Sequence, residues 1–418
     1  MPSFLGKLER LEGRARACLL LGLAAALSLP AVRAPGQEPS QADAVARYVA
    51  ELGDASYEVR EEAYDRLVAI GEPAMASLEE ATLSPDIEVA HRARRATERI
   101  RRQEFERRLS LYLNGELTPG RPLLGQAAYE ELCGSDPSDR EFFVTMLRAE
   151  RDLALAFERA SDRFPETFKR RFEQVVSNVN SRAPLRSPPP VPSIAMLLLV
   201  LTDPSIEHPR ETFAHSGWSL LASQPYFQIS LESPQRPGER LRAIVGEWIL
   251  APSSTLDVSA KCRISVELDL PQGMAFAARY AFEVSILPNA RPYALQALAV
   301  LGGREHAARL LPLLDDETIC MTRYLPDKNG DNVRMPIQIR DVALGWLLYL
   351  TDQDPKTYGY SQLNAVFERV ETDPSNVHSA SNFWFADSAA RDAAFVKWEA
   401  WLARNPLPPP PELLYEAR

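Results

Sequence analysis

Cysteine is scarce in this chain. There are four in 418 residues, Cys18, Cys133, Cys262 and Cys320, and no two form a CxxC pair. None has a histidine at zinc-ligand spacing, so the pattern indicates neither a zinc site nor a redox dithiol. If Cys18 leaves with an N-terminal signal, three remain. They read as buried free thiols, with one disulfide and one free thiol as the alternative. Histidine is as sparse: His91, His208, His215, His306 and His378. No two stand four apart with an acidic partner, as a metalloprotease helix requires. The chain also lacks a Gly-x-Ser-x-Gly elbow and a phosphate-binding glycine loop. No catalytic, cofactor-binding or metal-ligating residue is assigned, and the chain reads as a protein that is not an enzyme.

Positive charge is in deficit as well. With 47 basic against 57 acidic residues the formal net charge is -10. Affinity for phosphate backbones comes from Lys and Arg displacing condensed counterions, so nucleic acid is not an expected partner. Long apolar runs are missing too. Ala17 to Leu29 spans 13 residues, short of the roughly 20 that cross a bilayer. The run from Ile194 to Leu201 ends at Asp203-Pro204. The first run follows Lys7, Arg10, Arg14 and Arg16 and leads into small residues up to Ala34, which is the form of an export signal over residues 1–34. Cleavage after Ala34 or Ala31, or retention as an uncut membrane anchor, are the three outcomes this pattern allows. No other membrane insertion is expected. Those 34 residues carry five basic and two acidic side chains, so their removal leaves a charge of -13.

What is present is an ordinary globular composition, 45% hydrophobic and 25% charged, enough for two or three cores at roughly 100–200 residues each. The chain repeats itself. Glu58-Val59-Arg60-Glu61-Glu62-Ala63 returns thirty residues later as Glu88-Val89-Ala90-His91-Arg92-Ala93, and the match runs on from Ile70 to Ile100. Val59, Ala63, Leu67 and Ile70 share one helical face, Gly71 closes that helix, and Pro73 opens another whose apolar face is Met75, Leu78 and Ala81. Such a hairpin cannot bury both faces alone, so it needs a stacked neighbour, and a copy at fixed period supplies one. Toward the other end, Ala294, Leu298, Leu301 and Gly302 reproduce the spacing, a partner helix follows through Leu310, Leu311, Leu313 and Leu314, and Ile339-Arg340-Asp341-Val342-Ala343 opens a long apolar helix to Leu350.

The string Leu52-Gly53-Asp54, Val59-Arg60, Ala63, Leu67, Ile70-Gly71, Ala74 and Leu78 resembles the HEAT and phycobilisome-lyase-type repeats of bacteria. The wider context resembles exported HEAT-repeat proteins of the planctomycete type. It includes the stretch from Glu141 to Glu150, Ile339 to Leu344, Asp352-Gln353-Asp354-Pro355 on to Tyr360, and Lys397-Trp398-Glu399-Ala400-Trp401-Leu402. The resemblance implies an α-solenoid fold and no catalytic residues.

The expected architecture is therefore all-α, with HEAT-like helical-hairpin repeats at both ends and a helical middle. Its parts are a signal or anchor at 1–34, repeats at 43–113, a charged helical region at 114–183 interrupted at Pro165, a proline-rich linker at 184–192, a helical middle at 193–289, repeats at 290–405 and a proline-rich tail at 406–418. Lys261 to Leu270 alternates polar and apolar residues, as one short strand would. Such surfaces chiefly hold other chains. The expected function is a non-enzymatic, extracytoplasmic protein-binding or scaffolding protein whose protein partner is unidentified. The alternatives are an enzyme accessory or lyase-like enzyme, and a self-associating structural component of the envelope.

Four clusters carry a second meaning. Asp327-Lys328-Asn329-Gly330-Asp331-Asn332 imitates a calcium loop at positions one, three and five, but Asn332 stands where glycine is required and Gln338 where the bidentate Glu belongs. It reads as a polar hairpin turn between Tyr324 and Val333. His208 and His215, beside Glu207 and Glu211, read as loop. Arg92 to Arg108 holds eight arginines against three acids and reads as a solvated outer face. Trp346, Trp398 and Trp401 sit in apolar helical register and read as core.

Overall fold

The computed structural model describes residues 40–118, 120–159, 163–180, 189–206, 225–232, 236–251, 255–326, 332–373 and 380–415. The export signal at 1–34, the prolines up to residue 188, the group around His208 and His215, the loop at 327–331 and His378 lie outside the described residues. The described chain is mostly helical. It divides into two compact units, one ending at Ile100 and one beginning at Arg101.

In the first unit, α1 (Gln41–Glu51) begins where the Ser40 hydroxyl accepts the Asp43 N–H at 3.2 Å, which satisfies one of the free amides of a helix start. α2 (Tyr57–Ile70) stops at Gly71, whose φ of 74° is open to glycine at little cost and whose N–H returns to the Leu67 carbonyl. A 3-10 turn (Glu72–Ala74) carrying Pro73 leads into α3 (Met75–Ala81), and α4 (Ile87–Asn114) follows. Val45, Leu52, Ala63, Leu67, Ala74, Leu78, Ala93, Ala96 and Ile100 form one core. Ala63 and its copy Ala93 are both fully buried, while Val59 and Ile70 are half-buried. Burying each of the two leucines at positions 67 and 78 contributes about 1.5–3 kcal/mol. Gly53 lets the chain come close to α4: a Cβ there would lie 2.7 Å from Val89 Cγ2. Arg92 is only 5% exposed and pairs with Glu61 and Glu88, so a side chain from the second copy grips a carboxylate of the first.

The second unit takes the C-terminal part of α4 and then α5 (Gln126–Cys133), α6 (Pro137–Ala149), α7 (Arg151–Glu158), α8 (Phe164–Asn180), α9 (Val191–Thr202), α10 (Pro225–Glu232), α11 (Arg236–Leu250), α12 (Thr255–Glu267), α13 (Gln272–Phe282) and α14 (Arg291–Gly302). A 3-10 helix (Arg304–Asp315), strands β1 (Ile319–Pro326) and β2 (Asn332–Gln338), α15 (Ile339–Leu350), a 3-10 turn (Pro355–Tyr358), α16 (Leu363–Thr372) and α17 (Ser388–Leu402) complete it. α6 and α11 pack on α9, and α12, α13 and α15 pack on α14. Helices apolar on every side belong in the centre of a core. α9 is buried from Ser193 to Thr202, then Asp203 turns extended, as the residue before Pro204 must. No helix of the described residues is long and apolar enough to cross a membrane.

Buried arginines knit this unit. Arg240 reaches Asp139 and the Ser138 hydroxyl, Arg291 reaches Asp316 at 2.6 Å, and Arg391 forks onto both Asp341 oxygens at 2.8 and 3.0 Å. The planar guanidinium matches a carboxylate with two parallel bonds, which a lysine cannot. Lys261 is the exception and pairs differently. Its Nζ donates to the Ile249 and Ala251 carbonyls at the end of α11, at 3.3 and 2.8 Å, between the rings of Trp248 and Phe276. These are carbonyls that a helix C-terminus leaves unpaired.

Several expectations need correction. Lys261 to Leu270 is not a strand: Lys261 to Glu267 belongs to α12, and its polar-apolar alternation arises because that helix is buried on several sides. The strands lie elsewhere, as an antiparallel pair in which Tyr324 faces Arg334 and Leu325 faces Val333. They flank the expected polar turn. The partner helix at Leu310 to Leu314 is 3-10: Ala307, Leu310 and Leu313 are buried at a spacing of three, and Pro312 cannot donate to an α-helical ladder. Gly302 lies inside α14, and Gly303, at φ 57°, takes the role Gly71 plays. The charged region breaks at Glu150 and again after Glu158, with Pro165 in the first turn of α8. Within the arginine run Arg94, Arg95, Arg99, Arg102 and Arg107 are exposed as expected, but the two ends turn inward, since Arg108 like Arg92 is buried and pairs with Glu158 and the Arg121 carbonyl. The proline-rich tail lies along the surface, its Pro411 carbonyl held by Arg309.

Candidate functional site

The residues singled out in the sequence have structural work. Trp346 and Trp398 are 1% exposed. Trp346 packs against Phe367 and Phe383, and Trp398 stacks on Trp401. Cys133, Cys262 and Cys320 are free thiols. Burial pushes Cys133 and Cys320 up to about 12 and Cys262 higher still, so none is a ready nucleophile. Burial and the neighbouring Arg309 lower His306. Gln338, in the place of the calcium-loop glutamate, instead starts α15 in a capping box with Asp341. Among the described residues no group of three His, Cys, Asp or Glu side chains could hold a metal ion.

One feature with the form of a binding site is a groove in the second unit, of about 620 Å³, between the ends of α14 and α15 and one face of α16. Pockets for ligands run to roughly 300–1,000 Å³. Its floor is apolar: Val300, Leu348, Tyr349 and Phe367 line it, with the Tyr349 and Phe367 rings 5.0 Å apart. Its rim is acidic. Asp352 and Asp354 come from the turn after α15, and Glu368 and Glu371 from α16. Arg304 is the one cation of the lining, and its contact with Asp352 is 3.3 Å long with both side chains largely exposed. Burial, then the charges of Glu371 and Asp352, raise Tyr349 and keep its hydroxyl protonated.

The turn that carries the rim is strained. After the last helical residues of α15, the Gln353 N–H bonds to the Leu348 carbonyl and the Asp352 N–H to that of Tyr349. These two bonds define a Schellman ending, whose left-handed residue is normally glycine. Here it is Asp352, at φ 56°. An L side chain there costs about 1–3 kcal/mol, a strain that concentrates at functional positions. Asn364 adds a second oddity. Its Nδ2 leans toward Asp354 at 3.4 Å, whereas its Oδ1 is buried with no hydrogen-bond partner. Four carboxylates against one cation make the groove acidic, the complement of an ammonium or guanidinium group.

Sequence reasoning missed this site because its halves lie apart in the chain. One signal was available: Asn364, Glu368 and Glu371 stand at i, i+4 and i+7, one polar face on a short helix otherwise buried through Leu363, Val366, Phe367 and Val370. The chain matches no protein-family model and no curated protein.

Proposed function

We propose that this chain is a non-enzymatic binding or scaffolding protein, exported from the cytoplasm and built on HEAT-like helical-hairpin repeats, that holds a basic segment of a protein partner in the groove at the ends of α14 and α15. The observation that carries this reading is the acidic rim of Asp352, Asp354, Glu368 and Glu371, with Arg304 its one cation, above an apolar floor. A lysine or arginine side chain would lay its methylene stem on Tyr349 and Phe367 and bring its charged end to the carboxylates. Because the four carboxylates are exposed, each ion pair formed there contributes about 0.2–1 kcal/mol, and the rim acts through several of them together. Support for the repeat architecture comes from the thirty-residue copy, with alanine buried at positions 63 and 93, and from the glycine-terminated helices at Gly71 and Gly303. Support for export comes from the signal-like pattern at 1–34.

The test uses the mature chain immobilised against an envelope extract, beside a variant carrying Glu368→Lys and Glu371→Lys. The expected result is reproducible capture of one protein by the wild type, about tenfold or more weaker with the variant and weakened by salt. Equal capture by both proteins would contradict the reading, as would no partner. Export is tested by N-terminal sequencing of the native protein. A start after Ala31 or Ala34, or recovery of the uncut chain in the membrane fraction, is expected. An uncut chain in the cytoplasm would contradict export.

A further inference from the structure

A second cavity in the same unit, of about 660 Å³, has the opposite chemistry. It lies where α6 gives way to α7, against one side of α8, and Arg148, Arg151, Arg170 and Arg171 all line it. Two carboxylates, Glu150 and Asp152, also line it. Glu150 is 3% exposed and fully engaged: Arg171 donates to it through Nε at 2.8 Å and Nη2 at 2.7 Å, and the Ser193 hydroxyl donates to it as well. Its charge and that of Arg171 are thus committed to each other, and this pair fixes the Arg171 guanidinium at the cavity wall.

The other arginines are not so committed. Arg148 meets Glu106 at 2.9 Å, but both side chains are about half exposed, and such pairs contribute little and are screened by solvent. Arg151 and Arg170 are exposed and form no ion pair among the described residues. Three arginines besides Arg171 therefore line one cavity whose other carboxylate is Asp152, in a protein whose net charge is -10. Like charges so placed repel until an anion joins them. The first intrahelical bond of α7 is from Ala154 to the Glu150 carbonyl, so the amides of residues 151–153 have no carbonyl partner within α7.

We propose that this cavity is a phosphate-binding site, taking the dianionic phosphate of a small monoester or of a lipid headgroup. Planar guanidiniums bind phosphate oxygens two at a time, which favours phosphate over a monovalent ion of similar size. Arg151 and Arg170 would hold the ligand, with Arg148 released from Glu106 to join them. Arg171 acts through Glu150 and serves as a positioning residue.

The experiment titrates the mature protein with inorganic phosphate against chloride at matched ionic strength, by calorimetry, and separately measures sedimentation with vesicles of phosphatidic acid or of phosphatidylcholine. The variant is Arg151→Gln with Arg170→Gln, two exposed side chains without ion pairs among the described residues, and its melting temperature confirms that it folds. Saturable phosphate binding, weakened about tenfold or more in the variant, supports a soluble phosphate ligand. Binding to phosphatidic acid vesicles alone, lost in the variant, supports the lipid headgroup. Absence of both, or binding that the variant retains in full, overturns the proposal. Because the groove carboxylates are untouched, loss of phosphate binding with partner capture intact separates this site from the groove.

Discussion

The first unit and the α14–α15 region of the second solve the same problem in different ways. From residue 41 to 100 the helices are amphipathic. Their shared core combines Ala63, Ala93 and Ala96 with Leu67, Leu78 and Ile100, and one buried arginine bridges the copies. In the second unit α14 and α15 are buried on nearly every side and apolar all round, so hydrophobicity alone does not say which face meets which neighbour. There the buried ion pairs supply direction. Arg391 fixes α17 to the start of α15 through Asp341 and the Pro336 carbonyl, and the Tyr360 hydroxyl donates to the Asp341 carbonyl. An amphipathic stripe orients a helix by itself, whereas a helix greasy on all sides needs a polar fastening.

The comparison is tested hardest at that fastening. Asp341→Ala leaves the Arg391 guanidinium buried and unpaired and should cost about 3–5 kcal/mol, measured by urea unfolding. A loss under 1 kcal/mol would show that the pair orients nothing. Leu67→Ala, in the first unit, removes packing without stranding a charge and should cost about 2–5 kcal/mol. Because the core around Leu67 is rich in alanine, the account expects the lower end and a loss of helix signal confined to the first unit in hydrogen exchange.

Lys261 sharpens the contrast through pH. Burial lowers it from 10.5 to about 7, against the smaller opposing influences of Asp257 and Cys262. Its folded value lies below its unfolded one, so between pH 7 and 10.5 the unfolded chain holds the proton that the folded chain has released. Stability from this group therefore rises with pH across that window and is flat below it. Relative to Lys261→Met, the wild type should gain about 2 kcal/mol from pH 7 to pH 9, read as the shift in urea midpoint of each protein. A parallel shift in both would place the lysine in solvent. The smallest effect is at the groove: Asp352→Gly relieves the left-handed strain and should stabilise the protein by about 1 kcal/mol while weakening partner capture. Stabilisation with unchanged capture would remove Asp352 from the site.

The features legible in the sequence were those with a local cause. Gly71 ends α2 because only glycine takes that backbone freely, and α9 stops at Asp203 because Pro204 follows. The thirty-residue copy located the first unit's buried face. The rest depended on non-local contacts. Whether Lys261 to Leu270 bends into a helix is settled by Trp248, Phe276 and the free carbonyls of α11, none of which is a neighbour in sequence. The strands at 319–326 and 332–338 lie on either side of the place where a hairpin turn was expected, though the strands themselves were not, and the 3-10 helix differs from an α-helix only in a spacing of three. The groove could not be read from Asp352-Gln353-Asp354 alone, since half its charge comes from α16.

The central claim is that the acidic groove is where a partner docks. A photoreactive residue placed at Asn364 in the mature chain, irradiated in envelope extract and analysed by mass spectrometry, tests it directly. The account predicts a crosslink to one protein, at a stretch rich in lysine or arginine, suppressed by Glu368→Lys with Glu371→Lys. Crosslinks that map to acidic or neutral stretches, or that survive the charge reversal, would contradict it.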